Sequence, residues 1–479
     1  MSDTTRIKIL LIRCNESLRR PVSGLRETNV TGIYPPLGLA YIASVLRKAQ
    51  YNVRVLDVHA LNLTEGEIRS FVKRNPADII MLTSTTLIWP NVLETARIVK
   101  DSLPKALIGI GGPQLSAYPQ ESVSFDYIDF GVYGEGEATV LEVVDRYERN
   151  TEINNINGTV IKKDGHVTVN PAREPIEKLD EIPFPAIELF PYKKYRVLNI
   201  EYPFFTMVTS RGCPYRCAFC SQVYNGGKFR YRSAMNVVDE MELYARRYNA
   251  KELIIFDETF TVDKERVLNI CKLIKDRKLK FRWNIRTRVD LVDRDMLGSL
   301  KEAGCYGLHM GVESGSQEIL NIMKKDITIP QVKEAFRHAN ALGFETRGYF
   351  MIGYPGENLH TIKQTLRLAK ELDLDWASFT VTIPHPKTDI YNYALENGYL
   401  KTDYWRDYTL GRVRGSVPYF TTGEYDTNRL IRIKNYAYLS FYSRISFITK
   451  KLLSKYLFRL IKNLFKNISL LFRLVPIVR

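Results

Sequence analysis

Three cysteines, Cys213, Cys217 and Cys220, follow the spacing Cys-x3-Cys-x2-Cys. Thiolates are ligands of zinc and of iron–sulfur clusters. A structural zinc ion needs four Cys or His ligands, and the nearest histidines along the chain are His166 and His309, so a zinc site is disfavoured. An iron–sulfur cubane held by three thiolates keeps one iron open for a further ligand. The triplet therefore predicts an iron–sulfur site that acts on a bound molecule.

The remaining cysteines indicate a reducing compartment. Six cysteines in 479 residues, three of them clustered, do not suit a disulfide framework. Cys14, Cys271 and Cys305 are isolated and are predicted to be packed thiols, with Cys14, at the end of a predicted strand, the strongest functional candidate among them. The first apolar run, Ile7 to Ile12, is too short for a secretory signal and is predicted to be a strand. We therefore expect a cytoplasmic protein.

The triplet, with the aromatic Phe219 before its last cysteine, resembles the signature of the radical S-adenosylmethionine (SAM) superfamily. In that family three cysteines hold a [4Fe-4S] cluster, and the open iron binds the methionine part of SAM, whose reductive cleavage gives a 5′-deoxyadenosyl radical. The resemblance implies that Cys213, Cys217 and Cys220 are the cluster ligands and that Phe219 lies near adenine. It also implies a reductant, such as ferredoxin or flavodoxin, as a partner.

Predicted strands and helices alternate between residues 201 and 400, which indicates βα units on a parallel sheet. About six such units predict a partial (β/α)6 barrel of the TIM type, with ligands at the carboxyl ends of its strands. By the family resemblance, the polar clusters at those ends contain the SAM contacts. These are Asp257, Glu258, Glu313, Ser314, Met351 and Gly353.

Two of these assignments have alternatives. The alternative for the Asp257-Glu258 pair is an acidic turn that caps a helix. His385, which follows the sixth predicted strand, is a candidate proton donor to the substrate, and a turn histidine without a catalytic role is an equal alternative.

Residues 1–150 carry five predicted strands with helices between them, such as Leu37 to Lys48, which predicts a doubly wound, flavodoxin-like (Rossmann-type) domain. The small residues in its loops, upstream of the triplet, resemble the cobalamin-binding domain of cobalamin-dependent radical SAM enzymes. The two resemblances cover about residues 5–395. The loop residues that this resemblance assigns to cobalamin are Pro36, Leu37, Gly38, Thr83, Ser84, Thr85, Gly111, Gly112, Gly134, Glu135 and Gly136.

His59 is not assigned to the cobalt. Asp57-Val-His59 is similar to an Asp-x-His-x-x-Gly motif whose histidine ligates cobalt in other cobalamin proteins, but here Asp57 closes the second predicted strand and position 62 is Asn. We therefore expect a cobalt whose lower face lacks a protein histidine. The alternative for the whole domain is a sensor or interaction domain that binds no corrinoid.

Residues 151–200 are predicted to be a connector. Within it, the pattern from Val160 to Val169 predicts a β-hairpin, and Ile176 to Pro191 is rich in Pro and acidic residues and is predicted to be irregular.

The C-terminal extension, residues 401–479, is strongly basic. From Thr427 onward it holds twelve Lys or Arg and no Asp or Glu, which accounts for twelve of the net charge of +16. Apolar residues from Leu452 to Phe472 recur at i,i+4 in two adjacent rows, which predicts a basic amphipathic helix. No apolar window is long enough for a transmembrane helix.

Such a helix fits an anionic membrane surface, so we expect the protein to be peripheral on the inner face of the membrane. Docking of the apolar face on the open side of the barrel is the alternative. Nucleic-acid binding is disfavoured, because the interleaved residues are mainly Leu and Ile rather than stacking aromatics. The aromatic-rich segment 400–425, including Trp405, is a candidate lining for substrate entry, with ordinary packing as the alternative.

The two resemblances together imply an enzyme that uses a [4Fe-4S] cluster, SAM and cobalamin. Within that family we expect a methyltransferase acting on an unactivated carbon of a hydrophobic substrate, such as a lipid, an isoprenoid or a tetrapyrrole. A radical oxidative cyclase or rearrangement enzyme on a similar substrate is the alternative. An iron–sulfur electron carrier is the alternative outside enzymes; it needs a fourth thiolate and leaves the SAM-like elements without a purpose.

Overall fold

The computed structural model describes residues 6–16, 32–197, 200–221, 228–413, 418–421 and 425–452. They fall into two compact units. The first contains the described residues up to 197 together with 402–413, and the second contains the rest. Within these described ranges, no helix is both long and apolar enough to cross a membrane.

The first unit is built on a seven-stranded sheet. Its strands are β1 (Lys8–Arg13), β2 (Asn52–Asp57), β3 (Ile79–Thr83), β4 (Leu107–Gly111), β5 (Phe130–Val132), β6 (Thr159–Lys163) and β7 (His166–Val169). The sheet order is β2-β1-β3-β4-β5-β6-β7, with β1 to β5 parallel and the last two antiparallel. The order of the parallel part is that of flavodoxin-like folds, which confirms the predicted fold class.

The helices of this unit alternate with the strands, as a doubly wound sheet requires. They are α1 (Leu37–Lys48), α2 (Val58–Leu61), α3 (Glu65–Arg74), α4 (Trp89–Ser102), α5 (Pro113–Ala117), α6 (Pro119–Ser122) and α7 (Glu137–Glu148). β3 is buried almost throughout, as expected of a parallel strand covered on both faces. The core includes Leu10, Ile80, Trp89 and Ile108.

The predicted hairpin is present as β6 and β7, and β6 pairs with β5. The hairpin therefore extends the first sheet beyond residue 150 instead of standing apart from it. The following stretch is irregular apart from short 3-10 turns at Leu179–Glu181, Ile187–Leu189 and Tyr192–Lys194.

Eight strands are described in the second unit, and six of them form one parallel sheet. The strands of this unit are β8 (Phe204–Met207), β9 (Ser210–Arg211), β10 (Arg230–Tyr231), β11 (Glu252–Ile255), β12 (Arg282–Arg288), β13 (Cys305–Glu313), β14 (Glu345–Ile352) and β15 (Trp376–Val381). The sheet order is β8-β11-β12-β13-β14-β15, and β9 and β10 form a separate antiparallel pair. Six parallel strands in chain order, joined by helices, confirm the predicted partial barrel.

The helices between the barrel strands are α8 (Ala234–Arg247), α9 (Lys264–Asp276), α10 (Arg294–Glu302), α11 (Gln317–Ile322), α12 (Ile329–Ala341), α13 (Leu359–Glu371) and α14 (Asp389–Glu396). Most begin at a Ser, Thr, Asp or Asn whose side chain accepts a hydrogen bond from the first turn. These caps are Ser233, Asp263, Asp293, Thr328, Asn358 and Thr388.

The helix that follows the barrel in the sequence, α15 (Tyr404–Thr409), belongs to the first unit. Trp89 Nε1 donates to Thr409 O at 2.9 Å, and Tyr118 OH donates to Asp403 Oδ1 at 2.8 Å. Trp405 is fully buried. Trp405 is therefore an ordinary packed residue and does not line a substrate entry.

The described part of the tail forms α16 (Thr427–Tyr442) and α17 (Ile445–Leu452). α16 covers the edge of β15. Tyr442 OH accepts from Ala377 N at 3.1 Å, and Tyr438 OH accepts from Phe379 N at 3.2 Å, so two tyrosines satisfy backbone groups of an edge strand. Residues 453–479, which hold most of the predicted amphipathic helix, lie outside the described residues.

Candidate functional site

The three cysteines lie in the loop that follows β9, which we call the cysteine loop (residues 213–220). Two backbone hydrogen bonds tie Ala218, in its middle, to other parts of the second unit. Ala218 N donates to Met323 O at 2.9 Å, and Ile390 N donates to Ala218 O at 3.1 Å. The loop that carries the thiols is therefore fixed from both sides by α11 and α14.

The thiols lie close enough to influence one another. Burial raises the pKa of Cys220 to about 11, and the neighbouring Cys217 and Cys213 add to the rise. Burial also raises the pKa of Cys217, although Lys325 and Arg288 act in the opposite direction. Such thiols stay protonated until a metal binds, and metal binding releases their protons.

Lys325 and Arg288 bring positive charge to the cysteine loop. Arg288 Nη1 lies 3.8 Å from Cys217 Sγ, and its guanidinium stacks on Tyr215 at 3.7 Å from the ring centre. Arg288 Nη2 also donates to the backbone oxygen of Lys325 at 2.7 Å. Cations at this distance stabilise thiolates and the net negative charge of a thiolate-ligated cluster, and here the ion pairs of Arg288 with Asp290 and of Lys325 with Glu313 offset part of that charge.

Within the described ranges, no three His, Cys, Asp or Glu side chains converge on a single metal ion. A cubane does not require this convergence, because each thiolate binds a different iron. Three neighbouring thiols with two cations beside them therefore fit a [4Fe-4S] cluster.

Asp257, at the carboxyl end of β11, is completely buried. Its carboxylate accepts hydrogen bonds from Thr209 N at 2.6 Å, Thr209 Oγ1 at 2.5 Å and Ser210 Oγ at 2.7 Å. These contacts fix the chain three to four residues before Cys213. Asp257 thus supports the backbone that leads into the cysteine loop.

Arg266, on α9, completes this support. Its Nη2 donates to Thr209 O at 2.9 Å and to Thr209 Oγ1 at 2.7 Å, and its Nε donates to Arg232 O at 2.8 Å. Arg232 in turn forms a buried ion pair with Glu240. A network of buried charges therefore surrounds Thr209, and most of its polar atoms are hydrogen-bonded within it, although Arg266 Nη1 and Glu240 Oε1 have no hydrogen-bond partner among the described residues.

Glu258, next to Asp257, differs from it in accessibility. Its side chain is exposed to solvent and interacts with the backbone N–H of Gly212. Partial loss of hydration raises the pKa of Glu258, and the neighbouring Asp257 adds to the rise. Of the two acidic residues, Glu258 is the one that a ligand beside the cysteine loop can reach.

Glu313 ends β13 in a left-handed backbone conformation, with φ of 67°. Its Oε1 accepts from Lys325 Nζ at 3.0 Å, and both groups are buried. A Cβ on Gly311 would lie 2.3 Å from Glu313 Oε1 and 2.9 Å from Lys325 Nζ, so glycine makes room for this ion pair. Ser314 is buried and bonds to Thr365 Oγ1 at 3.2 Å, which places its hydroxyl against α13.

The loop after β14 is organised by Glu357. Its Oε2 accepts from Gly353 N at 2.6 Å and from Tyr354 N at 3.1 Å. Burial raises the pKa of Glu357 to about 7. Met351 is partly exposed, and Tyr354 packs edge-to-face on Phe219 at 6.4 Å between ring centres, so this loop lies beside the aromatic residue of the cysteine loop.

His385 is partly buried, and burial lowers its pKa. Its backbone oxygen accepts from Thr388 Oγ1 at 2.7 Å, which fixes the turn before α14.

In the first unit, the residues assigned to cobalamin lie at the carboxyl edge of the parallel sheet, where ligands of doubly wound folds bind. Gly38 and Gly134 face open space, since a Cβ there would meet no atom within 4 Å. Pro36 and Leu37 are partly exposed, and Thr85 is exposed. Open, small-residue loops of this kind fit a large flat cofactor.

Other residues of this set hold the loops together. A Cβ on Gly112 would lie 2.5 Å from Ser84 O, and Ser84 Oγ donates to Gly111 O at 3.0 Å. Glu135 Oε2 accepts from Ile176 N at 2.7 Å. The remaining two members, Thr83 and Gly136, are partly exposed.

His59 is buried and forms polar contacts with its surroundings. Its Nδ1 accepts from Glu16 N at 3.3 Å and lies 3.2 Å from Asn15 Oδ1. Asp57, beside it, is buried and accepts from Tyr195 OH at 2.8 Å and Arg13 Nη1 at 3.3 Å. The Asp57-Val-His59 run therefore belongs to a buried polar cluster.

Sequence reasoning missed Lys325, Arg288 and Arg266. A signal existed for Arg266, because it shares the buried face of α9 with Ile270 and Ile274, where a charge is unexpected. Lys325 and Arg288 carry no local pattern that singles them out.

The fold and site define a class before any comparison: a partial barrel that presents a three-thiol loop, and a doubly wound domain with an open loop edge. Known protein families match both of these domains. The radical SAM superfamily model matches residues 207–369, and the B12 binding domain model matches residues 27–144.

Three relatives illustrate the range of the family. An uncharacterized methyltransferase of Pyrococcus horikoshii is 35% identical over 427 residues, which covers 89% of this chain and 91% of the relative. An anaerobic magnesium-protoporphyrin IX monomethyl ester cyclase of Rubrivivax gelatinosus is 29% identical and covers 76% and 66%. A hopanoid C-3 methylase of Methylococcus capsulatus is 25% identical and covers 82% and 74%.

Among solved structures, the radical SAM methyltransferase TsrM of Kitasatospora setae, with cobalamin and a [4Fe-4S] cluster bound, has a similar fold. The TM-score is 0.69 at 18% identity, over 82% of this chain and 78% of that one.

The chain belongs to the radical SAM superfamily and carries a B12-binding domain. It is an enzyme of the cobalamin-dependent branch, whose cofactors are a [4Fe-4S] cluster, SAM and cobalamin. The sequence-based predictions of family, enzyme class and cofactors are thereby confirmed.

Proposed function

We propose that this enzyme transfers a methyl group to an unactivated carbon of a hydrophobic substrate. The observation that carries this proposal is the 35% identity with an uncharacterized methyltransferase of Pyrococcus horikoshii over 89% of this chain. When bound, the cluster and SAM supply a radical that removes a hydrogen atom, and cobalamin supplies the methyl group.

Cys213, Cys217 and Cys220 hold the cluster in this proposal. Arg288 and Lys325 place positive charge beside it, and Asp257 holds the strand end that leads into the cysteine loop.

The SAM contacts divide into accessible and supporting residues. Glu258 is accessible and receives the SAM amino group, while Met351 and the backbone at Gly353 flank adenine beside Phe219. Glu313 acts together with Lys325, its ion-pair partner. The buried Ser314 supports the loop from behind, as its bond to Thr365 indicates. His385 stays a candidate proton donor.

Cobalamin is held by the loop edge of the first unit. Pro36, Leu37, Gly38, Thr83, Thr85 and Gly134 offer accessible backbone and small side chains. Ser84, Gly111, Gly112, Glu135 and Gly136 keep these loops in place through contacts within the unit. No histidine ligand to the cobalt is expected, because His59 is buried, follows the second strand rather than the first, and has Asn at position 62 where the cobalt-ligating motif has Gly.

Two partners complete the proposal. A ferredoxin or flavodoxin supplies the electron that SAM cleavage consumes. The anionic inner face of the cytoplasmic membrane binds residues 453–479, whose basic and apolar residues alternate at helical spacing. A membrane-bound lipid or isoprenoid substrate then reaches the enzyme without leaving the bilayer surface.

Oxidative ring closure is the second candidate. It is supported by the cyclase of Rubrivivax gelatinosus, which shares 29% identity over 76% of this chain. The residues that hold the cofactors are expected to serve either reaction, so the substrate decides between them.

The test is an anaerobic assay of the reconstituted enzyme with a reductant, SAM, hydroxocobalamin and a lipid extract from a deletion strain. We expect 5′-deoxyadenosine together with a product heavier by one methyl group. Cys217→Ala should abolish 5′-deoxyadenosine and iron binding, whereas Cys271→Ala, a buried thiol of α9, should retain both. Loss of two hydrogens without an added methyl group would favour cyclisation, and no 5′-deoxyadenosine from the wild type would refute both.

A further inference from the structure

One row of side chains crosses four neighbouring barrel strands. Parallel pairing aligns Arg286 of β12 with His309 of β13, His309 with Arg347 of β14, and Arg347 with Trp376 of β15. Residues aligned in this way point to the same face of a sheet. We call these four residues the basic row.

The basic row lies on the face of the sheet opposite the helices. Leu308 and Met310 of β13 are completely buried, and α10 packs on this strand. His309 lies between them and therefore points to the other face. Arg286 is exposed, and His309 and Arg347 are partly exposed, so the row lines the open inside of the partial barrel.

Neither arginine has a counter-ion in the part of the chain that the structure describes. Salt bridges are formed by many arginines of the second unit, such as Arg232 and Arg277, but not by Arg286 or Arg347. Arg347 Nε is buried without a hydrogen-bond partner. Glu345, two residues before Arg347, instead accepts from Trp376 Nε1 at 2.9 Å. Two cations on one concave face raise the local positive potential, which attracts an anion to the space between them.

Both guanidinium groups lie over aromatic rings. Arg286 lies over Phe256 at 4.4 Å from the ring centre, and Arg347 lies over Trp376 at 5.8 Å. Stacking uses the flat face of a guanidinium and leaves the N–H groups at its edge for hydrogen bonds. The two arginines are therefore oriented but still have donors to offer.

His309 adds a neutral polar group between the arginines. Its Nδ1 lies 3.1 Å from Tyr349 OH on the neighbouring strand. Burial, followed by the charges of Arg347 and Arg286, lowers the pKa of His309 to about 3. At neutral pH the imidazole is uncharged, so the positive charge of the row resides on the two arginines.

We propose that the basic row binds an anionic group of the substrate, a carboxylate or a phosphate, while the rest of the substrate is hydrophobic. This assignment rests on the proposed function and specifies its substrate class. The backbones of Arg286 and Arg347 are two strand spacings, about 10 Å, apart. Their long side chains can converge on one anion from both sides. From Arg347 to Met351 the strand rises about 13 Å, so a substrate that engages both ends is elongated.

Matched pairs of charged and neutral probes test this proposal on the reconstituted full-length enzyme with SAM. Protoporphyrin IX against its dimethyl ester tests a carboxylate, and farnesyl phosphate against farnesol tests a phosphate. In at least one pair we expect the charged probe to bind about tenfold tighter or more, since a charge-assisted hydrogen bond contributes at least that factor. Porphyrin fluorescence and titration calorimetry measure the two pairs.

Variants show whether the preference comes from the basic row. The double substitution Arg286→Gln with Arg347→Gln should remove the preference for the charged probe, and the corresponding lysine variants should keep part of it. Arg337→Gln, on the exposed face of α12, should leave it unchanged. The comparison of charged with neutral probes is made on the wild type. It can therefore refute the proposal even if a variant misfolds.

Two outcomes would overturn the inference: equal binding of charged and neutral probes in both pairs, or a preference that survives the double glutamine variant. Iron content and 5′-deoxyadenosine formation are measured in parallel. If iron binding and 5′-deoxyadenosine formation are retained but the charge preference is absent, the basic row does not bind a substrate anion and the proposed function stands. If 5′-deoxyadenosine is absent from the wild type, it is the proposed function that fails.

Discussion

The two cofactor regions of this protein are held in place by different means. In the barrel, buried charges position the cysteine loop: Asp257 binds Thr209 and Ser210, and Arg266 closes the network from α9. In the first unit, the close backbone approach of Gly112 to Ser84 and single hydrogen bonds of the Ser84 and Glu135 side chains to backbone groups position the loops.

This difference predicts different responses to substitution. A buried charge network fails when one member loses its charge, because its partner stays buried and uncompensated. A loop built on backbone contacts fails only where a new side chain meets another atom. The barrel is therefore expected to be sensitive at charged residues, and the first unit at selected glycines.

The largest effect is expected for Asp257→Asn. It keeps the size of the side chain but removes the charge that balances Arg266, and we expect a loss of about 3 kcal/mol or more in the free energy of unfolding. Iron content after reconstitution should fall as well, because the strand end before Cys213 loses its support. Denaturant titration and iron analysis measure the two effects.

Asp295→Asn, in the exposed first turn of α10, is the matched control and should change stability by less than about 0.5 kcal/mol. An Asp257→Asn protein as stable as this control would contradict the view that buried charge positions the cysteine loop.

A smaller effect, dependent on pH, is expected for Glu357. Its pKa is raised from 4.5 to about 7 by burial, so the folded protein favours the protonated carboxyl. The stability this contributes is complete below pH 4.5 and is lost as pH rises to about 7. Between these values the wild type should lose about 3 kcal/mol relative to Glu357→Gln, which does not titrate.

Thermal or denaturant unfolding between pH 5 and pH 8 tests this expectation, with Glu318→Gln on the exposed side of α11 as the control. Parallel stability curves for the wild type and Glu357→Gln would show that Glu357 titrates normally in the folded state.

In the first unit, two glycine substitutions should separate folding from cofactor binding. Gly112 has φ of 103°, and a Cβ there would lie 2.5 Å from Ser84 O, so Gly112→Ala should destabilise the protein by about 2 kcal/mol. Gly38→Ala meets no atom within 4 Å and should leave stability unchanged. Its added methyl group should nevertheless weaken retention of hydroxocobalamin, measured by the visible spectrum. Full retention would remove Gly38 from the cofactor surface.

The smallest effect on stability is expected for truncation after residue 452. α16 must stay, because Tyr438 and Tyr442 cover the edge of β15. Removing residues 453–479 should leave the unfolding curve unchanged but abolish flotation with vesicles that contain anionic lipid. Neutral vesicles are the control. Flotation that survives the truncation would refute membrane binding through this segment.

Local patterns were sufficient to predict most of the architecture. The alternation of apolar strands and helices predicted both sheets, and α1 begins and ends at the predicted residues. The spacing of Cys213, Cys217 and Cys220 predicted the cofactor family. These features depend on residues close together in the chain, so the sequence displays them directly.

The sequence by itself therefore determined the family, the order of the elements and the residues that carry the thiols. Only the tertiary structure decided which of two adjacent acids, Asp257 or Glu258, is accessible, because accessibility depends on what packs against each side chain. It also brought Lys325 and Arg288 to the thiols and aligned Arg286, His309 and Arg347 in one row. These groups come from separate strands and loops, and strand pairing, rather than any local pattern, makes them neighbours.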